Sequence, residues 1–272
     1  MSRLVTRFAT LREQGRTALI PYITAGDPQP LVTVPLMHAL VAAGADVLEL
    51  GVPFSDPMAD GPVIQAACER ALEHHVSLRQ ILDMVSTFRQ QDEQTPVVLM
   101  GYLNPVEVMG YEVFSRAAHE AVVDGVLTVD LPPEEAQDLL VSLKAEGLDP
   151  IFLAAPTSDD ERIRLMSRAG GGFLYYVSFK GVTGANRLDV QSVKDKLTQI
   201  RANTELPVGV GFGISDAESA ARIAEFADAV VVGSALVKRI AALLDSPEQI
   251  PVQAPQVIAE MRAAMDRVVA TS

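Results

Sequence analysis

At 272 residues, 49% of them hydrophobic, the chain is long enough for one large α/β domain or two small ones and too apolar for disorder. Its formal net charge of −13 argues against a nucleic-acid partner, although local backbone donors can still hold a small anion. The single cysteine, Cys68, excludes an internal disulfide and a multi-cysteine zinc site; with no bilayer-length apolar run and no signal-peptide core after Met1, a cytoplasmic protein is expected.

Residues 3–14 read as an amphipathic helix with Leu4, Phe8 and Leu11 on one face. Residues 18–26 form an apolar strand turned at Gly26-Asp27-Pro28, and a helix from Leu31 to Ala43 follows, ended by Gly44. The second strand covers residues 46–52. Residues 62–93 make one or two helices, broken near His75-Val76-Ser77. A strand at residues 96–101 leads through a turn at Asn104-Pro105 into a helix reaching Val122. Residues 125–130 are a fourth strand, closed by Leu131-Pro132-Pro133 and a helix through Lys144. A fifth, residues 150–156, precedes a helix capped by Ser158 or Asp159. The sixth, seventh and eighth strands are residues 173–178, 207–213 and 228–233, with Ser215 as cap of the helix after the seventh. Residues 245–255, with three prolines, read as a linker before a last helix from Gln256 to Val269.

Eight short, β-branched strands, each followed by a helical segment, predict a (β/α)8 barrel with an extra N-terminal helix and additional helices. A doubly wound sheet is the alternative. No composition shift marks a boundary, so residues 1–272 are read as one domain.

The second strand carries the chemistry. Period-2 geometry sends Glu49 to the side of Val47 and Gly51, away from Leu48 and Leu50, and a carboxylate inside a buried strand is costly unless paired, protonated or used. Pro53 stops the strand, Ser55-Asp56-Pro57 turns the chain, and Asp60 stands before Gly61-Pro62, which opens a helix. An Asp before Gly-Pro is by itself a turn or cap residue. Two carboxylates on one strand–loop unit, at the end where parallel barrels keep their chemistry, point to acid–base catalysis.

Glycine-bearing segments at the ends of the last three strands, Gly181-Val-Thr-Gly184, Gly211-Phe-Gly-Ile-Ser215 and Gly233-Ser234, can aim backbone N–H groups at a phosphate. Plain turn chemistry is the competing explanation for each. His38, His74, His75 and His119 fall on predicted helices away from strand ends, without metal-ligand spacing. Tyr175 can point into the barrel, Asp130 ends a strand, and no Gly-x-Gly-x-x-Gly opens a helix to hold a dinucleotide.

The stretch Leu48-Glu-Leu-Gly-Val-Pro-Phe-Ser-Asp-Pro-Met-Ala-Asp-Gly-Pro62, with Pro21-Tyr-Ile-Thr-Ala-Gly-Asp-Pro28 and the glycine segments above, resembles the tryptophan synthase alpha subunit family over nearly the whole chain. The resemblance implies cleavage of indole-3-glycerol phosphate to indole and glyceraldehyde 3-phosphate. It implies Glu49 as the acid/base and Asp60 as the group that holds the indole N–H. Tyr22, Met100, Leu127 and Tyr175 are then the indole pocket, and Gly184, Phe212, Gly213, Gly233 and Ser234 belong with the phosphate, Thr183 being on the adjoining loop. Many family members carry Phe at the position of Tyr22 and Leu at that of Met100. No metal and no cofactor are implied in this chain; the partner is a pyridoxal-phosphate-dependent beta subunit in an alpha2-beta2 tetramer, docking near Asp56, Asn104 and Pro132. A stand-alone indole-releasing lyase, a sugar-phosphate isomerase and a non-catalytic activating subunit are the rival readings.

Overall fold

A computed structural model describes residues 2–178, 190–211 and 213–269. Its strands are β1 (Ala18–Thr24), β2 (Leu48–Gly51), β3 (Val97–Gly101), β4 (Gly125–Thr128), β5 (Asp149–Ile151), β6 (Leu153–Ala154), β7 (Leu174–Val177), β8 (Val208–Gly211) and β9 (Ala229–Val232). All pair in parallel, in the order β5-β4-β3-β2-β1-β9-β8-β7-β6. The two ends of that order, β5 and β6, are consecutive in the chain and separated only by Phe152, whose carbonyl accepts the Tyr175 N–H at 3.0 Å. They are one stave, paired with β4 on its first half and β7 on its second. The expected eight staves are therefore present, and the barrel closes through the interrupted one.

Residues alternate across the barrel wall as the sequence period requires. Leu19, Leu48, Leu50 and Leu99 join the core between sheet and helices, whereas Ile20, Val47, Val98 and Val231 fill the barrel interior. Helix α1 (Arg3–Glu13) adds Leu4, Phe8 and Leu11 to that interior, the Phe8 ring lying 5.6 Å from Phe173. It plugs the N-terminal end of the barrel and leaves the C-terminal end open.

The outer helices are α2 (Pro30–Ala42), α3 (Pro62–Glu73), α4 (Leu78–Arg89), α5 (Leu103–Met109), α6 (Tyr111–Glu120), α7 (Gln137–Ala145), α8 (Asp160–Ala169), α9 (Val190–Arg201), α10 (Ala217–Ala224), α11 (Ser234–Ala241), α12 (Ile250–Gln253) and α13 (Gln256–Val269). The break expected after residue 73 is real: a Ser77–Gln80 capping box starts α4. Three local expectations need correction, and one left open is resolved. Asn104-Pro105 is no turn before a helix but lies in the first turn of α5, where a missing N–H costs nothing, and the chain breaks later, at Gly110 with φ of 86°. Ser215 does not cap α10; Asp216 does, accepting the Ser219 N–H at 2.8 Å, because a carboxylate outcompetes a hydroxyl for the first-turn amides. Of the two candidates for α8, Asp159 is the cap. Residues 245–255 are not a free linker: Pro247 and Pro251 open a 3-10 turn and α12, and Ile250 and Ala254 are fully buried.

The closed end is latched by carboxylates. Asp46, Asp124 and Asp228, each just ahead of a strand, accept an early amide of the preceding one in the chain, from Leu19 (3.0 Å), Val97 (2.8 Å) and Val208 (2.9 Å). Each also meets an arginine: Arg262 at 3.2 Å, Arg89 at 2.6 Å and Arg201 at 3.1 Å. Asp124 is the most enclosed, its carboxylate also reached by Arg3 at 3.1 Å. Replacing it by alanine strands the Arg89 guanidinium and the Val97 N–H in the interior. Asp124→Ala should therefore cost about 3–5 kcal/mol of stability, measured by urea unfolding, with little change at the open end if the chain still folds.

Candidate active site

β2 places Glu49 in register with Tyr22 of β1 and Val98 of β3, facing into the barrel near its open end. Its side chain is 1% exposed, and Oε1 has no hydrogen-bond partner. Burial, and then the charge of Asp60, push its pKa from 4.5 to about 8. Glu49 is therefore protonated at neutral pH. Asp60 stands half-buried before α3, whose N-cap is Gly61. Burial raises its pKa too, but the Tyr102 hydroxyl, donating to Oδ2 at 2.9 Å, works in the opposite direction. The two carboxyls of this loop unit thus differ in what meets them: Asp60 has a phenolic donor, and Glu49 Oε1 has no partner.

Both face a cavity of about 600 Å³, counted out to its open mouth. Tyr22, Met100 and Tyr175 form walls, Gly213, Gly233 and Ser234 part of the rim. The tyrosines need glycine neighbours. A Cβ on Gly51 would collide with the hydroxyl end of Tyr22, and one on Gly211 with that of Tyr175. Each ring lies across the bare backbone of an adjoining part of the wall. Gly213 has φ of 78°, in the left-handed region that favours glycine. Ser234 is the first residue of α11, whose leading N–H groups have no partner within the helix and are suited to an anion.

Eight of the expected site residues therefore converge: Tyr22, Glu49, Asp60, Met100, Tyr175, Gly213, Gly233 and Ser234. Leu127 does not line the cavity; it is 1% exposed in the inner core against which Met100 packs. Thr183, Gly184 and Phe212 lie outside the described residues. Sequence reasoning passed over Ile64, Ile214 and Val231, which complete the apolar lining, and Tyr102. Ile64 was findable as the residue one turn past Asp60, and Tyr102 as the residue just beyond β3. A wider hollow, lined by Arg3, Arg89, His119 and Asp124, lies at the plugged end, and Arg3 and Arg89 there are already paired with Asp124. No cluster of His, Cys, Asp or Glu among the described residues could hold a metal, and no helix there is long and apolar enough to cross a membrane.

An apolar cavity at the C-terminal end of a parallel barrel, holding one protonated and one less basic carboxyl, defines an acid–base enzyme of the α/β-barrel class. A family model described as tryptophan synthase alpha chain matches residues 8–266, and the chain belongs to that family. It is 67% identical to the tryptophan synthase alpha chain of Thioalkalivibrio sulfidiphilus, covering 98% of this chain and all of the relative. It is 62% identical to that of Nitrosococcus oceani, covering 98% of each. The crystal structure of tryptophan synthase subunit alpha from Legionella pneumophila superposes with a TM-score of 0.92 at 46% identity, over 98% of this chain and 99% of the other. The chain is accordingly a lyase of tryptophan biosynthesis that cleaves indole-3-glycerol phosphate as the alpha chain of tryptophan synthase. The family uses no cofactor in this chain, pyridoxal phosphate residing in the beta subunit.

The raised Glu49 pKa has a cost in stability. The folded chain holds a proton that the unfolded chain releases near pH 4.5, so stability falls as pH rises from about 4.5 to about 8. Glu49→Gln lacks that loss. The variant should gain on the wild type between pH 5 and pH 8 by on the order of 4 kcal/mol, read by urea unfolding at the two pH values.

Proposed function

We propose that Glu49 and Asp60 divide the cleavage between them, and that residues 1–272 act as one barrel domain in doing so. Protonated Glu49 delivers its proton to the indole ring carbon that carries the glycerol chain, giving an indolenine cation. The resulting carboxylate takes the proton of the adjacent glycerol hydroxyl. The carbon–carbon bond breaks, its electron pair returning to the ring, and indole and glyceraldehyde 3-phosphate result. Asp60, ionised, accepts the indole N–H and stabilises the positive charge that develops on that nitrogen.

The observation that supports this division most directly is the Glu49 carboxyl, 1% exposed, with an unpartnered Oε1 beside Asp60. A structural carboxylate in such a place would have a cation or a set of donors. Tyr22, Met100 and Tyr175 suit a flat apolar ring, and Gly213, Gly233 and Ser234 suit the phosphate at the rim, with Gly184, Phe212 and Thr183 assigned there by family resemblance. Leu127 supports the ring pocket from behind.

The reading extends to assembly. A beta subunit would cover the open end near Asp56, Asn104 and Pro132, in an alpha2-beta2 tetramer, within the cytoplasm. Met58 (85% exposed) and Val108 (82% exposed) offer apolar surface beside the first two of these positions. A stand-alone lyase is excluded if indole release quickens several-fold when a beta subunit is added.

Glu49→Gln keeps shape without a transferable proton and should lower turnover by at least ~10²-fold while substrate still binds. In the wild type, kcat/KM should fall above about pH 8, as Glu49 loses its proton. Asp60→Asn should lose most activity and move that falling limb to lower pH, because the like charge that helps hold the Glu49 proton is gone. Ser234→Asp should weaken binding of indole propanol phosphate about tenfold or more, measured by calorimetry, with no comparable loss of melting temperature.

A further inference from the structure

Tyr102 is a buried phenol outside the cavity wall, and nothing in the acid–base scheme above uses it. It stands directly after β3, as the residue before α5, and is 4% exposed. Its hydroxyl makes two bonds on one loop: it donates to Asp60 Oδ2 at 2.9 Å and accepts the Ala59 N–H at 3.0 Å. Its ring stacks on Phe54, centroids 5.3 Å apart and planes 29° apart. Phe54 belongs to the same loop as Asp60. One side chain from the neighbouring stave therefore holds the β2–α3 loop at three of its residues.

We infer that Tyr102 is a positioning residue for the lyase reaction, fixing the Asp60 carboxylate by Oδ2 so that Oδ1 is left to meet the indole N–H. The inference rests on the role of Asp60 given above. A carboxylate on a loop can turn about two side-chain torsions, and the loss of one anchoring hydrogen bond frees both. The phenol is well suited to the task. Burial and then the Asp60 charge push its own pKa well up, so it remains a donor throughout the working pH range. Its hydrogen bond also favours the ionised form of Asp60, which is the form that can stabilise a cation. The titratable groups facing Asp60 are Glu49 from β2, Tyr22 from β1, Tyr175 from β7 and Cys68 from α3, all neutral at pH 7, and among the described residues the Tyr102 hydroxyl is the one hydrogen-bond donor to that carboxylate. The ring provides a second function. Phe54, in the segment 53–58, rests on the Tyr102 ring, and Tyr102 holds Asp60, so the three are in continuous contact.

The test is Tyr102→Phe, which keeps the ring and its stack on Phe54 but removes the donor. Turnover of indole-3-glycerol phosphate should fall about tenfold, in kcat more than in KM, as expected for a contact that matters most once charge has developed. The rising, acidic limb of the kcat/KM profile should move to higher pH, since Asp60 loses a bond that favoured its ionised form. In an Asp60→Asn background the same substitution should have little further effect. If Tyr102→Phe melts early, the profile is taken at a temperature where circular dichroism shows the variant folded at every pH used, so that the position of the acidic limb reports Asp60 and not unfolding. An unmoved limb with full turnover overturns the inference. So does a tenfold loss that persists undiminished in the Asp60→Asn background, which would mean that Tyr102 acts elsewhere. Full activity of Asp60→Asn alone would instead overturn the assigned role of Asp60.

Discussion

The burial of one carboxyl, with no counter-charge among the described residues, is the constraint around which the molecule is arranged. Glu49 sits inside a barrel wall, where ionisation is opposed by the loss of water and again by Asp60. A proton is held there because no described neighbour compensates its removal. Every surrounding choice preserves that condition. The walls are tyrosine, methionine, isoleucine and valine, and among the described residues no lysine or arginine lines the cavity. Asp60, one loop away, is also pushed up by burial, but the phenolic donor of Tyr102 works against that push. The difference between the two acids is thus set by what each is denied or granted, and not by their own chemistry.

That arrangement demands a frame that loses little when its upper rim is unfavourable. The frame is provided at the other end of the staves. Asp46, Asp124 and Asp228 bind strand amides and arginines together, and α1 closes the hole beneath them with Leu4, Phe8 and Leu11. Charges at this end are satisfied; the charge at the other end is withheld. The division follows the usual polarity of parallel barrels, in which one face carries stability and the other chemistry.

Much of this was legible in the chain. The barrel could be counted from strand–helix alternation because parallel strands covered on both faces read as unbroken apolar runs. Glu49 was conspicuous for breaking such a run, and Asp60 for its place before Gly61-Pro62. What escaped was whatever depended on side-chain direction or on partners remote in sequence. Tyr102 meets Asp60 across 42 residues, and no periodicity reports such a contact. Leu127, in register with Met100, shares the inward parity of true wall residues but is covered in the inner core, since parity gives the side of the sheet and not what lies over a residue. The prolines of residues 245–255 suggested a linker because proline breaks helices, yet here they begin them. The split of the fifth stave at Phe152 left no mark in composition.

The two glycines beneath the tyrosines have a consequence for how the binding site can change. Gly51 and Gly211 are seats for the rings of Tyr22 and Tyr175. A larger residue at either seat evicts its tyrosine and pushes the ring into the space meant for substrate. A smaller residue in place of either tyrosine leaves the seat bare and widens the chamber without touching the backbone. Variation in ring size among acceptable substrates is therefore open through the tyrosines and closed through the glycines. Drift at this site is a one-way ratchet: the aromatic residue can shrink first and the glycine can change only afterwards, never in the reverse order.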